Sequence, residues 1–130
     1  MSRRVVVSGS RHLLDYALVL EELRRHLRAG DVVLHGACRG ADRLAGRAAI
    51  ELGHAVEEWP ADWDRHGPAA GPIRNAAMLD AGAGLLIAFI LDRHPCIGTW
   101  NAIEGAKSRG IEYVQISAPA PWSNRPTSSR

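Results

Sequence analysis

Three glycine-bearing segments, each following a short apolar run, carry the residues of this 130-residue chain best suited to chemistry. Val32 to Asp42 reads Val-Val-Leu-His-Gly-Ala-Cys-Arg-Gly-Ala-Asp. Val5-Val6-Val7 runs into Ser8-Gly9-Ser10-Arg11, and Leu85 to Phe89 precedes Pro95-Cys96-Ile97-Gly98-Thr99. A glycine turn between a strand and a helix presents backbone N–H groups and a helix N-terminus to whatever lies above the strand, which is where anions bind. Three such turns predict one composite pocket for a phosphorylated ligand. Gly9, Ser10, Arg11, Gly36, Arg39, Gly40, Gly98 and Thr99 are its candidate contacts. Arg11 leaves the end of a buried strand and is the foremost counter-charge. Arg39 is either a phosphate clamp or a solvated loop side chain. Gly36 and Gly40 either let backbone approach a phosphate or serve a tight turn with positive φ. Asp42 either caps the following helix or accepts a hydrogen bond from a ribose hydroxyl, and Thr99 also fits a plain N-cap.

A second group of candidates sits in residues 60–71, Pro-Ala-Asp-Trp-Asp-Arg-His-Gly-Pro-Ala-Ala-Gly. A connection of that length in a small domain is often a functional lid. Trp63 suits stacking on a base or packing against the body of the domain. Asp62, Asp64 and His66, with Asp42, are weak candidates for acid–base work. Arg74 and Asn75 fall in the first turn of the helix that follows, placed to meet an anion or a base edge. The chain has neither G-x-G-x-x-G nor G-x-x-x-x-G-K-[ST], which disfavours dinucleotide-dehydrogenase and P-loop readings. The six histidines show no metal-ligand spacing, although His35, His66 and His94 are placed to line the crevice. Cys38 and Cys96 read as ordinary reduced thiols, too few for a zinc site or a disulfide framework. No metal and no obligatory cofactor are expected.

The elements that must position these residues alternate, short apolar runs with amphipathic helical stretches, which predicts an α/β domain with a mostly parallel sheet. Strands are expected at 4–8, 32–35, 55–59, 85–89 and 113–116. Helices are expected at 14–27, with Leu14, Leu18 and Leu27 buried, and at 41–52, 72–81 and 98–109. A strand order of 3-2-1-4-5 would give a Rossmann-like three-layer α/β/α domain over residues 1–116. The crevice then opens between the loops after strands 1 and 4, with the loop after strand 2 alongside. Residues 117–130, rich in Pro and Ser, read as a disordered tail. The chain shows no internal repeat and no second domain.

Composition narrows the classes. With 46% apolar residues the chain is an ordinary globular sequence, and its longest apolar stretch is too short to span a bilayer. The basic start is not followed by a signal-peptide core, so a cytoplasmic protein is expected. Net charge is only +2, which supplies no strong field for nucleic acid. Of the 16 basic residues only Lys107 is a lysine, an excess of arginine that most simply follows a GC-rich genome.

Ser8-Gly9-Ser10-Arg11, Gly36-Ala37-Cys38-Arg39-Gly40-Ala41-Asp42, Pro60-Ala61-Asp62-Trp63 and Gly71-Pro72-Ile73-Arg74-Asn75 together resemble the YspA-like branch of the SLOG superfamily. The resemblance covers residues 4–116. It implies a Rossmann-like fold, a nucleotide or nucleotide-derived ligand and self-association into a homo-oligomer. Related branches are DprA, which binds single-stranded DNA, and the "lonely guy" phosphoribohydrolases, which cleave base from nucleoside monophosphate. The latter carry Pro-Gly-Gly-x-Gly-Thr-x-x-Glu, where this chain reads Pro95-Cys96-Ile97-Gly98-Thr99-Trp100-Asn101-Ala102. Ala102 occupies the glutamate position, and Glu104 lies roughly 200° further round the helix.

The leading expectation is therefore a domain that senses, carries or sequesters a nucleotide-like small molecule. Phosphate would lie on the glycine turns, with Arg11 and Arg74 as counter-charges. An N-glycosidic hydrolase or transferase acting on a nucleoside phosphate is the alternative, and DprA-like binding of single-stranded DNA a further one.

Overall fold

Valine and isoleucine at alternate positions on both faces of a strand need a helical layer on each side, and that requirement organises the molecule. The computed structural model describes residues 2–92 and 96–120. Strands β1 (Arg4–Gly9), β2 (Val32–His35), β3 (Ala55–Glu58), β4 (Ala83–Leu91) and β5 (Tyr113–Ala118) form one parallel sheet in the order β3-β2-β1-β4-β5. On one face Val5, Val7, Val33, Leu85, Ile87 and Phe89 pack against helices α1 (Tyr16–His26) and α2 (Ala41–Glu51). On the other, Val6, Leu34, Leu86 and Ala88 meet α4 (Ala70–Asp80) and α5 (Ile97–Ser108). Between β3 and α4 lie a one-turn helix, α3 (Trp63–His66), and a 3-10 turn at Gly67–Ala69.

The expected fold class, strand order and layers are those observed. The boundaries differ where local chemistry overrides the apolar pattern. The first helix begins at Tyr16 because the Asp15 carboxylate caps it, accepting from the Leu18 N–H at 3.0 Å. Leu14 therefore lies outside the helix, 73% exposed, and Leu13, Val19 and Leu23 fill the core instead. Residues 60–71 are not an open loop: Asp62 caps α3 through the Arg65 N–H, and the 3-10 turn starts α4 two residues before Pro72. Pro72 costs no bond there, because the first four N–H groups of a helix have no partner within it. Strand β4 runs from Ala83 to Leu91, longer than expected at both ends. Strand β5 continues through Ser117 and Ala118, paired with Ile90 and Leu91, so the boundary drawn at residue 116 falls inside it. The remainder of the expected tail, 121–130, and His94 lie outside the described residues. No helix among those described is long and apolar enough to cross a membrane.

Away from the crevice, a buried ion pair ties the start of β1 to the start of β2. Asp31 is held by Arg3 Nη2 at 2.7 Å and by the Arg28 N–H at 2.7 Å, while its own carbonyl meets His54 Nδ1. Burial alone would push the Asp31 carboxyl up, but the bonds from Arg3 and the Arg28 N–H outweigh it and hold it below the ordinary carboxylate value. Asp31→Ala leaves the Arg28 N–H without its acceptor and the Arg3 guanidinium with the His26 carbonyl alone. Chemical denaturation should show a loss of about 2–4 kcal/mol; an unchanged midpoint would show that the knot contributes nothing.

Candidate functional site

Strand order reverses beside β1, since β2 leaves on one side and β4 on the other. Helices diverge above such a point and leave a crevice at the carboxyl ends of the strands. Here it measures about 400 Å³, within the range of small-molecule sites. Its floor is Ser8 and Gly9 at the end of β1 and Ser10 and Arg11 just after it, with Cys38 from the β2–α2 loop and Asp42 from the start of α2. One wall is Trp63, Pro68, Gly71, Pro72 and Arg74; the other is Cys96, Ile97, Gly98 and Thr99 at the start of α5.

The floor is rigid because the loops are bonded to one another. Ser10 donates its N–H to the Phe89 carbonyl at 3.2 Å and accepts from the Ala41 N–H at 3.0 Å, so one residue joins β4 to the start of α2. Its hydroxyl oxygen accepts from the His12 N–H. Gly40 has φ +81, and a Cβ there would lie 2.5 Å or less from the Ser10 and Arg11 carbonyl oxygens. Its glycine is thus required by both conformation and close approach.

The β2–α2 segment hangs on three side chains. Asp42 Oδ2 accepts from the Gly36 N–H at 3.0 Å and the Cys38 N–H at 3.3 Å. Arg74 Nη1 donates to the Gly36 carbonyl at 2.8 Å and the Trp59 carbonyl at 3.2 Å, while its Nε meets Asn75 Oδ1. Both groups press on Gly36, where a Cβ would fall 2.0 Å from Arg74 Nη1 and 2.9 Å from Asp42 Oδ2. His35 Nδ1 accepts from the N–H of Ala37, whose φ of 62° places it in the left-handed region. That role keeps Nδ1 unprotonated, and burial holds the His35 imidazole below its ordinary pKa. Asp42 is 6% exposed, and burial pushes its carboxyl up to about 6 against the two N–H bonds and the nearby Arg74 and Arg43.

Of the residues singled out from sequence, Gly9, Ser10, Arg11, Asp42, Trp63, Arg74, Gly98 and Thr99 share the crevice. Arg11 is exposed and makes no ion pair or hydrogen bond through its side chain among the described residues, so its charge is available to a ligand. Trp63 is 52% exposed, its ring beside Gly71. The others are elsewhere. Gly36 and Gly40 lie beneath the lining, where they admit side chain and backbone rather than ligand. Arg39 is exposed on the loop, outside the lining. Asn75 is buried and bridges α4 to α5, donating to the Gly98 carbonyl and to Asn101 Oδ1. Asp62 caps α3, and neither it nor Asp64 nor His66 lines the crevice, so Asp42 is the carboxylate there. His35 is buried behind the floor, against Gly46 of α2. His12, Pro68, Pro72 and Ile97 line the crevice without having been singled out as contacts. The run after Ser10-Arg11 could have flagged His12; nothing local marks the prolines.

Comparison with known proteins places this geometry. A family model described as YspA, cpYpsA-related SLOG family matches residues 3–66. The Gene 61 protein of Mycobacterium phage D29 is 39% identical over 122 residues, spanning 88% of this chain and 96% of its own. Among solved structures, the structural-genomics target TM1055 superposes with a TM-score of 0.65 at 21% identity, over 85% of this chain and 72% of its own. DNA processing protein A (DprA) from Streptococcus pneumoniae gives 0.53 at 16% identity, over 88% of this chain and 59% of its own. Both structural likenesses are to the fold.

The Asp42 environment makes stability pH-dependent with a defined sign. The carboxyl binds its proton more tightly folded than unfolded, so its contribution is largest below pH 4 and is lost as pH rises through about 6. Asp42→Asn keeps an oxygen for the Gly36 and Cys38 N–H groups and abolishes the titration. Denaturant melts at pH 7.5 and 4.5 should show wild type gaining about 2 kcal/mol on the variant as pH falls. Parallel pH profiles would show that the carboxyl titrates at its ordinary value.

Proposed function

The chain belongs to the YspA, cpYpsA-related SLOG family, and on that premise we propose that its crevice binds a nucleotide or nucleotide-derived ligand, as a sensor, carrier or sequestering domain. The observation that carries the reading is Arg11. An exposed guanidinium with no side-chain partner among the described residues lines the same crevice as the first turn of α5. The N–H groups of Ile97, Gly98 and Thr99 have no partner within that helix, so a phosphate between the two meets both a full charge and a helix N-terminus. Arg74 plays a different part from the counter-charge expected of it: its guanidinium is committed to the Gly36 and Trp59 carbonyls and shapes the wall.

The mouth suits the other end of such a ligand. Trp63 and Ile97, the latter 82% exposed, stand with Pro68 and Pro72 around an opening that a planar base would cover. Glycosidic hydrolysis is less well served. Ala102, at the position of the phosphoribohydrolase glutamate, is a core residue 1% exposed, and Glu104 pairs with Lys107 on the surface. Nucleic-acid binding finds little support in a net charge of +2.

Mass spectrometry of small molecules released by denaturing the purified protein, alongside Arg11→Ala, tests the reading. A nucleotide retained by wild type and absent from the variant is expected. A thermal-shift panel of nucleoside phosphates, ADP-ribose and cyclic nucleotides gives a second readout. Ligand at 100 times its Kd stabilises by roughly 2.7 kcal/mol, several degrees for a domain of this size. No retained nucleotide and no shift across the panel would overturn it.

A further inference from the structure

Asp42 has one oxygen that the fold uses and one that it does not. Oδ2 accepts both the Gly36 and Cys38 N–H groups, while Oδ1 accepts no hydrogen bond among the described residues. The side chain is 94% buried by the complement of its 6% exposure, and it lines the crevice. Oδ1 is not a sealed, unsatisfied atom, so what accessibility the carboxylate retains opens into the crevice. A carboxylate is costly to bury, and an acceptor left over on it is open to a donor that arrives from the crevice in place of water.

The neighbourhood fixes what that donor is. Asp42 follows Ala41, whose N–H is bonded to the Ser10 carbonyl at 3.0 Å, so the carboxylate flanks the floor that carries Arg11. A phosphate on that floor is repelled by the carboxylate and leaves Oδ1 to the next group along the ligand. In a nucleotide the group one methylene from the phosphate is the ribose, and its donors are hydroxyls.

We propose that Asp42 Oδ1 is the acceptor for a ribose hydroxyl, making the crevice selective for ribonucleotides over their deoxy counterparts. The inference rests on the nucleotide reading above and adds the sugar to it. Asp42 then has two separable tasks: Oδ2 shapes the loop, and Oδ1 reads the ligand. It also makes the crevice electrostatically balanced, with Asp42 and Arg11 each meeting a different part of one molecule.

Isothermal titration of wild type and Asp42→Asn tests it. The probes are the 5′-monophosphates of adenosine, guanosine, cytidine and uridine, their 2′-deoxy and 3′-deoxy forms, and inorganic phosphate as a control without sugar. Asparagine can present its oxygen to the Gly36 and Cys38 N–H groups, which leaves an amide donor facing the crevice. Circular dichroism melts check that the variant is folded; if it is not, Asp42→Glu, which displaces the carboxylate by one methylene, takes its place. Wild type should prefer a ribonucleotide over the corresponding deoxy form by roughly tenfold to a hundredfold. The variant should lose that ratio while still binding inorganic phosphate, at least as tightly as wild type because the repelling charge is gone. Nucleotide binding to wild type with no ribo/deoxy preference, or a preference that survives in the variant, overturns the inference and leaves the nucleotide reading standing. Binding of none of these probes to wild type also overturns the inference, and the nucleotide reading then stands or falls on the wider panel above.

Discussion

The backbone of Gly36 is gripped on both sides of its Cα, and the crevice takes its shape from that grip. Its N–H goes to a buried aspartate and its carbonyl to an arginine from α4, and a single added methyl group would displace both. The contact joins elements far apart in sequence. Asp42 belongs to the helix above β2, whereas Arg74 reaches the same residue from the opposite helical layer and touches the end of β3 as it passes. Two opposite charges meet the successive amides on either side of the Gly36 Cα, so neither is buried alone. Without that arrangement the β2–α2 loop would have no fixed height above the sheet, and Ser10, stitched to Ala41, would lose its reference point.

The same economy explains why the floor contains so many small residues. Gly9 sits where a Cβ would lie 2.6 Å from that of Ala41 and 2.8 Å from the Phe89 carbonyl oxygen, and Gly46 where one would strike the His35 ring. These glycines bring protein against protein. Only with the loops drawn together do the backbone groups converge on one small volume rather than lining a wide trough.

Much of this was legible from sequence. Val5-Val6-Val7 and Leu85 to Phe89 are apolar on both faces, a pattern that a strand under two helical layers demands, and the strand order expected for such a domain, 3-2-1-4-5, is the one observed. Residues of all three turns also line the crevice. What escaped was the direction of individual side chains. Arg74 and Asn75 were placed in the correct turn, but whether an arginine meets a ligand or two carbonyls depends on chain brought in from residues 36 and 59. Asp62 misled because a carboxylate in a long connection looks chemical, although the Asp62–Arg65 spacing is also that of an ordinary helix cap.

The wall that carries Trp63 differs from the floor in one respect. Neither α3 nor the 3-10 turn after it buries a single residue, yet Trp63 and Pro68 both border the opening. Substitutions in residues 63–69 thus alter the border of the crevice while leaving the packed layers alone, whereas nearly any change at Gly9, Gly36 or Gly40 must first be accommodated by the fold. Such a division gives a lineage freedom to vary the border of the crevice while its floor stays constant. Divergence among relatives should accordingly concentrate in the rim, with the floor inherited almost unchanged.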